Sequence, residues 1–175
     1  MIICISGTPG VGKTTISKKL EKKLKIKVID VNKLIKKLNL IEGYDKKRNA
    51  FIVDENKLKK IKLNGNFIID GHLSQFIPND LTIVLRLHPK KLRERLEAKK
   101  WKKEKIEENV IAEALDIIYV EALKCKKEKI AKNVVQINTT NKSVNSIVKR
   151  ILNMLKEEKY KSDYVDWLSE YEDIW

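Results

Sequence analysis

A glycine-rich run, GTPGVGKTT at residues 7–15, lies between the apolar opening stretch MIICIS and a segment of helical spacing. Gly7, Gly12, Lys13 and Thr14 fit the pattern G-x-x-x-x-G-K-[ST], in which glycines let backbone N–H groups turn inward around a phosphate. The helix that begins near Lys13 adds the positive end of its dipole. Because the pattern and its strand-to-helix context agree, the run predicts a phosphate-binding loop.

The same loop indicates how a nucleoside triphosphate and Mg²⁺ would be held. Lys13 is expected to reach the β- and γ-phosphates, the Thr14 hydroxyl to hold Mg²⁺, and Thr15 to contact the α-phosphate. A GTPase would also need a guanine-reading N-K-x-D, but TTNKSV carries Val144 at the Asp position. A GTPase is therefore disfavoured, and ATP is the expected nucleotide.

The rest of the chain alternates short β-rich runs with helical patterns. That order predicts an α/β fold of the P-loop NTPase class, with a five-stranded parallel sheet and helices on both faces. The predicted strands are 2–6, 28–30, 67–70, 81–87 and 134–137, and the predicted helices are 13–24, 32–40, 55–63, one from Pro89, 105–131 and 143–158. Residues 41–66 give a mixed pattern apart from their helix.

Composition and charge limit the function classes. With 175 residues, 42% hydrophobic and 35% charged, the chain fits one globular domain. No apolar run approaches the roughly 18 residues of a membrane helix, so we expect no association with a membrane. Cys4 and Cys125 are the two cysteines, and so low a number indicates a reducing, cytoplasmic location. All 38 basic residues precede Ser162, whereas five of the 24 acidic residues follow it. The basic body would attract nucleotides, RNA or acidic partners, or is a solvated lysine-rich surface.

The run NFIIDGH supplies two candidate catalytic residues at the end of a predicted strand. Asp70 should emerge beside the phosphate-binding loop, where its carboxylate can orient Mg²⁺; a helix cap or turn is the alternative. His72 follows a glycine that permits a sharp turn and could position the phosphate acceptor or a water. A solvated turn histidine is the alternative there.

Phosphoryl transfer needs alignment and charge neutralisation more than a covalent nucleophile. Arg95 and Lys99 lie four residues apart, so one helical face carries both charges, either to close over the transferring phosphate or as an ordinary basic surface. Arg48 could equally be a surface residue, and Arg86 a structural salt bridge. The candidates for binding the acceptor are Asp30, Tyr44, Asp45, Arg48 and Arg86.

Five stretches together resemble the adenylate kinase isoenzyme 6 family, in an archaeal-type form. They are GTPGVGKTT, LIEGYD, VDENKL, IIDGH and VLRLHPKKLRERLEAKKW, and the resemblance covers about residues 1–156. The Asp-x-His after the third predicted strand is the most discriminating mark. The family consists of small nucleoside monophosphate kinases that also act as ATPases in small-ribosomal-subunit maturation.

The resemblance implies a domain at about 1–158, with a monophosphate-binding segment at about 30–53 and a short lid at about 99–109. It places the family's catalytic Asp and His on Asp70 and His72. Its nucleotide contacts carry over to Gly10, Gly12, Lys13, Thr14 and Thr15. The lid departs from the family's usual Arg-Gly-Tyr because this chain reads Lys99, Lys100 and Trp101, and lysine supplies charge without a fork of donors. The loop after the fifth strand should approach adenine, with Lys142 as a candidate contact.

The last residues, about 159–175, lie outside the resemblance. Their aromatic residues recur at helical spacing, which predicts a C-terminal helix with one aromatic stripe packed on the body or on a second copy. The stripe consists of Tyr160, Tyr164, Trp167, Tyr171 and Trp175.

These observations support two functions that can coexist. One is an adenylate kinase that transfers the ATP γ-phosphate to AMP with Mg²⁺. The other is an assembly-factor ATPase, whose partners would be a small-subunit ribosomal protein and possibly rRNA. An assembly-factor ATPase with little kinase activity is the alternative to the first. A P-loop kinase for another metabolite, such as shikimate or a different nucleotide, is the third. We expect a monomer or weak dimer.

Overall fold

The computed structural model describes residues 1–46 and 50–170, which form two sheets and their covering helices. The strands are β1 (Ile2–Ser6), β2 (Lys27–Asp30), β3 (Ile41–Asp45), β4 (Ala50–Val53), β5 (Phe67–Asp70), β6 (Asn79–Arg86) and β7 (Ala131–Asn138). The helices are α1 (Lys13–Leu24), α2 (Val31–Lys37), α3 (Glu55–Leu58), α4 (Pro89–Ala98), α5 (Lys103–Ala114), α6 (Ile117–Lys127), α7 (Val144–Glu157) and α8 (Trp167–Glu170). A 3₁₀ turn spans Ser74–Phe76.

The main sheet has five parallel strands in the order β2-β5-β1-β6-β7, which confirms the predicted fold class. The strands are short apolar runs because a parallel sheet is covered on both faces. In register, Asp70 lies beside Asp30 on one neighbouring strand and beside Ile5 on the other. The carboxyl ends of β1, β2 and β5 therefore meet at one edge, where the phosphate-binding loop begins.

Alternation along β1 separates the two faces of the sheet. Ile3 and Ile5 belong to a buried cluster with side chains of α1, α4, α5 and α7. Cys4, which is fully buried, belongs to a second cluster with side chains of α2, α3 and α6, including the thiol-bearing Cys125. Successive strand residues point to opposite faces, so both layers of helices contribute to the core. Burial raises the pKa of the Cys4 thiol and raises that of Cys125 to about 11.

The segment that follows α2 contains a small hairpin, which the mixed sequence pattern did not predict. Strands β3 and β4 pair antiparallel, with Tyr44 opposite Phe51 and Asp45 opposite Ala50. Helix α3, predicted to reach residue 63, ends at Leu58. The hairpin stands apart from the main sheet, so its exposed strands lack the continuous apolar run that identifies a covered strand.

The helical pattern predicted over residues 105–131 is interrupted. Helix α5 ends at Ala114, and Asp116 adopts a left-handed backbone conformation with φ 57° before α6 begins. The side chain of Asp116 accepts a hydrogen bond from Arg86, which holds the break in place. The predicted lid, residues 99–109, is a turn that joins α4 to α5 and then the first half of α5.

The predicted C-terminal helix is wrong over residues 159–166, which contain no helix, whereas residues 167–170 are helical. Residues 159–166 run along the outer strand β7, where Asp163 N–H donates to Gln136 O at 3.0 Å and Gln136 N–H donates to Ser162 Oγ at 3.1 Å. An outer strand carries unpaired backbone groups. Hydrogen bonding to these groups outweighs the helical preference that the amphipathic spacing indicates. The aromatic side chains separate accordingly: Trp167 is 3% exposed and Tyr164 is 88% exposed.

Tyr171 and Trp175 lie outside the described residues. Across residues 1–46 and 50–170, the helices are too short or too polar for any of them to cross a membrane.

Candidate active site

The phosphate-binding loop, residues 7–15, leaves β1 and enters α1 through glycines in the left-handed region. Gly7 and Gly10 have φ of +133° and +99°. A Cβ at Gly7 would lie 2.5 Å from Leu85 O, and one at Gly10 would lie 2.9 Å from side-chain atoms of Leu92 and Leu96. Glycine is therefore required at both positions, by backbone conformation and by close packing. Gly12 also has a positive φ, +107°, and precedes the first residue of α1.

The side chain of Lys13 folds back over the beginning of the loop. Its ammonium group donates to Gly7 O at 2.7 Å and to Thr8 O at 3.1 Å. Burial lowers the pKa of Lys13 to about 8, although the negative charges of Asp70 and Glu113 oppose that change. The loop thus holds a cation at the amino end of α1, where helix N–H groups also favour an anion.

Thr14 and Asp70 form a hydrogen-bonded pair beside Lys13. Thr14 Oγ1 donates to Asp70 Oδ2 at 2.7 Å. Asp70 is 6% exposed, and its Oδ1 accepts no hydrogen bond from any described residue. Burial raises the pKa of Asp70, while the hydrogen bond from Thr14, the charge of Lys13 and the nearby Ser17 hydroxyl oppose the shift. The Ser17 hydroxyl is itself buried and does not reach hydrogen-bond geometry with Oδ1. A buried carboxylate oxygen without a donor is an orphaned acceptor suited to a cation.

The donor set also indicates which cation would fit. Within the described part of the chain, no group of three or more His, Cys, Asp or Glu side chains is arranged to hold a metal ion. One hydroxyl and one carboxylate are the protein ligands typical of Mg²⁺ that is held mainly by phosphates and water. The Thr14–Asp70 pair therefore fits Mg²⁺ with a bound nucleotide, and does not fit a resident metal without one.

His72 lies in the turn that follows Asp70, and the residue is partly buried. Gly71, at φ +147°, makes this turn possible because a Cβ there would lie 2.1 Å from Val31 Cγ1. Burial, with the positive charges of Lys13 and Lys105, lowers the pKa of His72 to about 4. A neutral imidazole therefore lies near the loop lysine and near the first turn of α5.

Helix α4 brings its basic face over the loop. Arg95 Nη1 donates to Gly10 O at 3.3 Å and to Val11 O at 3.2 Å. Lys99 follows the last residue of α4, and its positive charge contributes to the lowered pKa of Lys13. Both side chains are exposed. The structure thus places both predicted lid cations beside the loop. Trp101 packs on the first core cluster and anchors the turn.

Arg86 is a correction to the predicted acceptor site. Its side chain is 1% exposed, and its guanidinium donates to Glu113, Gln136 and Asp116. The charge is buried and compensated within the protein, so no donor is directed towards an acceptor molecule. Of the two interpretations of this residue, the structural salt bridge is the one that the structure supports.

The remaining acceptor candidates lie around α2 and the hairpin. Asp30 ends β2, and its Oδ1 accepts a hydrogen bond from Lys33 N–H at 3.0 Å, which caps α2. Tyr44 is 48% exposed and lies edge-on to Phe51, with ring centroids 5.6 Å apart. Asp45 is the last residue of β3. Arg48 lies outside the described residues.

The predicted adenine loop, residues 139–143, is held at the same edge of the sheet. Thr139 N–H donates to Arg86 O at 2.8 Å, and Thr140 Oγ1 accepts from His88 N–H at 2.9 Å. Lys142 Nζ lies 3.6 Å from Asp163 Oδ2, so the candidate adenine contact is paired with the C-terminal segment, which we define as residues 159–170.

Sequence reasoning missed Thr8, Glu113 and Asp163. Glu113 did carry a signal, because it occupies the next apolar position after Ile106 and Val110 on α5. An acidic residue in an apolar stripe indicates a buried partner. Asp163 gave no comparable signal because it lies in a segment whose pattern resembled a helix.

Comparison with known proteins assigns the chain to a family. A protein named "Putative adenylate kinase" from Methanocaldococcus jannaschii is 40% identical over 178 residues, covering 99% of this chain and 96% of that protein. A protein of the same name from Thermococcus onnurineus is 41% identical, and the match covers 99% of this chain and 95% of that protein. Another from Methanosarcina barkeri is also 41% identical, and the match covers 96% of this chain and 98% of that protein. The chain belongs to the family of these archaeal proteins.

Membership of this family extends over nearly the whole chain, including the C-terminal segment. A model of the family described as AAA domain also matches, over residues 3–116, and the chain belongs to that family as well. The matched range runs from β1 through the loop, Asp70, His72 and α4 to the end of α5. It therefore contains the site described above, apart from the loop at 139–143.

Solved structures agree on the fold. A deoxyadenosine kinase from M. mycoides has a TM-score of 0.56 at 17% identity and covers 91% of this chain and 100% of that one. A shikimate kinase from Bacteroides thetaiotaomicron has a TM-score of 0.50 at 20% identity and covers 89% and 98%. At these identities the likeness shows the P-loop kinase fold alone.

Proposed function

We propose that this protein is an adenylate kinase that transfers the γ-phosphate of ATP to AMP, giving two molecules of ADP. The observation that carries the proposal is the Thr14–Asp70 pair, with its orphaned carboxylate oxygen, beside the partly buried Lys13 ammonium of a glycine-rich loop. The name of the archaeal relatives supports the same reaction.

The loop and α1 would bind the triphosphate. Backbone N–H groups from Gly10 to Thr15 would surround the phosphates, Lys13 would contact the β- and γ-phosphates, and Thr15 would contact the α-phosphate. Thr14 and Asp70 would hold Mg²⁺ together with the phosphate oxygens. When bound, Mg²⁺ supplies charge neutralisation between the β- and γ-phosphates. Lys142 would contact adenine.

The acceptor would lie on the opposite side, towards α2 and the hairpin. Asp30, Tyr44, Asp45 and Arg48 are the residues that we propose for AMP binding. His72, a neutral imidazole near Lys13 and Lys105, would align the accepting phosphate. Arg95 and Lys99 would cover the transferring phosphate and exclude water. Because Lys99 is a point charge where a forked arginine would hold two oxygens, we expect the lid contact to be the weakest part of the site.

An acceptor panel tests this proposal. The protein is incubated with ATP and Mg²⁺, with AMP, CMP, GMP, UMP or shikimate as acceptor, and both ADP and the phosphorylated acceptor are measured. The kinase proposal expects AMP to stimulate ADP formation well above hydrolysis without acceptor. A different best acceptor would make the protein another P-loop kinase, and no stimulation by any acceptor would reject kinase function.

We propose a second role from the resemblance to the isoenzyme 6 family, as an ATPase in small-ribosomal-subunit maturation. The motif that supports it is Asp70-Gly71-His72, and the body that precedes Ser162 carries all 38 basic residues, suited to rRNA or an acidic partner. The test is a pull-down of small-subunit ribosomal proteins with the chain bound to ATP or to ADP. Binding of one partner should differ between the nucleotides, and equal binding would argue against this role.

A further inference from the structure

Glu113 is a buried carboxylate that the proposed reaction does not use. It lies near the carboxyl end of α5 and is 2% exposed. Its Oε1 accepts from Arg86 Nε at 2.8 Å and from Leu87 N–H at 3.1 Å, and its Oε2 accepts from Thr8 Oγ1. Both oxygens are therefore engaged, one towards the end of β6 and the other towards the phosphate-binding loop.

Arg86 secures the other end of this contact chain. Its Nη1 donates to Gln136 Oε1 and its Nη2 to the backbone oxygen of Glu113, both at 2.8 Å. Nη2 also donates to the carboxylate of Asp116, which is the second carboxylate bound by Arg86 after that of Glu113. A buried ion pair contributes little net stability compared with apolar packing, and removal of one partner is costly. Its presence therefore calls for a role in specifying geometry.

Thr8 is the point at which that geometry reaches the loop. The residue is 1% exposed, its hydroxyl is bound by Glu113, and its carbonyl oxygen accepts from Lys13 Nζ at 3.1 Å. The Thr8 peptide is thus held from one side by α5 and oriented towards the lysine on the other. Helix α5 begins at Lys103, in the segment predicted as the lid, so one helix joins the lid to the loop.

We propose that Glu113 is a positioning residue that holds the phosphate-binding loop in its nucleotide-binding shape through the hydroxyl of Thr8. The inference rests on the proposed function in one respect, namely that this loop binds nucleotide. Glu113 touches neither the nucleotide nor the acceptor in this scheme. It acts through Thr8 on a carbonyl group that orients Lys13, in addition to the attraction between its negative charge and the Lys13 ammonium group.

The test measures binding of MgADP by calorimetry, which requires no phosphoryl transfer. Thr8→Val keeps the shape of the side chain and leaves the Arg86–Glu113 pair intact, and we expect it to weaken MgADP binding about tenfold. Thr8→Ser, which restores a hydroxyl, should recover most of that loss. Thr82→Val is the matched control, because Thr82 is fully buried in β6 and its hydroxyl donates to Asn79 Oδ1 at 3.0 Å, away from the loop.

The control separates positioning from stability. Thr8→Val and Thr82→Val should lower the melting temperature to a similar extent, but Thr8→Val alone should weaken MgADP binding. Glu113→Gln should weaken binding at least as much, and the double variant Thr8→Val/Glu113→Gln should be no weaker than Glu113→Gln, because one interaction cannot be lost twice. If Glu113→Gln fails to fold, the Thr8 series decides the matter.

Two results would overturn this inference alone and leave the kinase proposal standing. If Thr8→Val binds MgADP as tightly as the unchanged protein, Glu113 is purely structural even if AMP is phosphorylated. If losses in Thr8→Val and Glu113→Gln simply add, the two residues act independently. If the unchanged protein fails to bind MgADP, the proposed function falls and this inference with it.

Discussion

Short sequence patterns predicted a conformation for both the phosphate-binding loop and the C-terminal segment, but different interactions determine their conformations in the structure. In the loop, the backbone itself is constrained, since a Cβ at Gly7 would lie 2.5 Å from Leu85 O. In the C-terminal segment, the backbone pairs with β7 while a side chain such as Tyr164 remains 88% exposed. The loop is thus specified by conformation, and the segment by a neighbouring strand.

This difference predicts where substitutions will have large effects. Lys13, Thr14 and Asp70 are charged or polar groups that meet at one point, so the loss of one changes the chemistry of the site. Charges of the C-terminal segment are partly exposed and lie farther from the proposed reaction, so the loss of one affects local stability. Four substitutions test this contrast, from the largest expected effect to the smallest.

The first is Lys13→Met, which removes the cation within the loop. We expect turnover of ATP with AMP to fall by about 10³-fold, because a preorganised charge at the transferring phosphate is lost. Steady-state kinetics of ADP formation measures this. Lys18→Met, an exposed position on α1, is the control and should retain turnover. Similar losses in both variants would mean that the loop lysine has no special role.

The second is Asp70→Asn, which removes the carboxylate but keeps its size. The expected result is a loss of about 10²-fold at low Mg²⁺, partly recovered as Mg²⁺ is raised, since the carboxylate is proposed to hold the ion. A Mg²⁺ titration of ADP formation measures the effect. Asp80→Asn is the control, because Asp80 binds Ile2 N–H and Lys132 at the opposite edge of the sheet. An unchanged Mg²⁺ dependence in Asp70→Asn would contradict the assignment.

The third is His72→Ala, which tests alignment of the acceptor. We expect turnover to fall by about tenfold through loss of one hydrogen bond, while affinity for ATP is retained. Separate measurement of turnover and of MgATP binding distinguishes these quantities. Loss of MgATP binding would instead make His72 a structural residue of the turn after β5.

The fourth is Asp163→Asn, in the C-terminal segment. Asp163 Oδ2 accepts from Asn138 N–H at 2.9 Å and from Arg150 Nη1 at 2.7 Å. We expect the variant to lose about 1–2 kcal/mol of unfolding free energy at pH 7, because hydrogen bonds to a charged group are lost. Turnover should change little. A loss of activity comparable to that of Asp70→Asn would remove the contrast between the two regions.

The pH dependence of this variant sharpens the test. Burial raises the pKa of Asp163, but the hydrogen bonds from Arg150 and Asn138 prevail and hold it below its ordinary value of 3.8. A carboxyl whose pKa is lower in the folded state than in the unfolded state stabilises the fold at pH values above its unfolded-state pKa. That contribution is lost as pH falls through the folded-state pKa. The stability difference between wild type and Asp163→Asn, measured by urea unfolding, should therefore be full at pH 7 and shrink as pH falls below 3.8.

Particular residues show how far the sequence could be interpreted. The loop motif and the apolar run that ends at Asp70 together predicted that Lys13, Thr14 and Asp70 lie at one edge of the sheet, because a parallel sheet brings the carboxyl ends of its strands together. Their roles in binding stay a prediction. The hairpin was not predicted, since its exposed strands lack a covered strand's apolar run. Arg86 could be assigned either way from sequence, and the choice depended on Glu113, which lies 27 residues away along the chain.

By itself, the sequence determined the alternation of strands and helices and the phosphate-binding loop, because local spacing and glycine conformations encode both. Only the tertiary structure decided that Arg86 is buried in an ion pair, that Glu113 holds Thr8, and that residues 159–166 follow β7 instead of forming a helix. These outcomes depend on which partners the fold brings together. Burial penalises an unpaired charge or an unpaired backbone group wherever it lies, and local sequence does not record the distant partner that satisfies it.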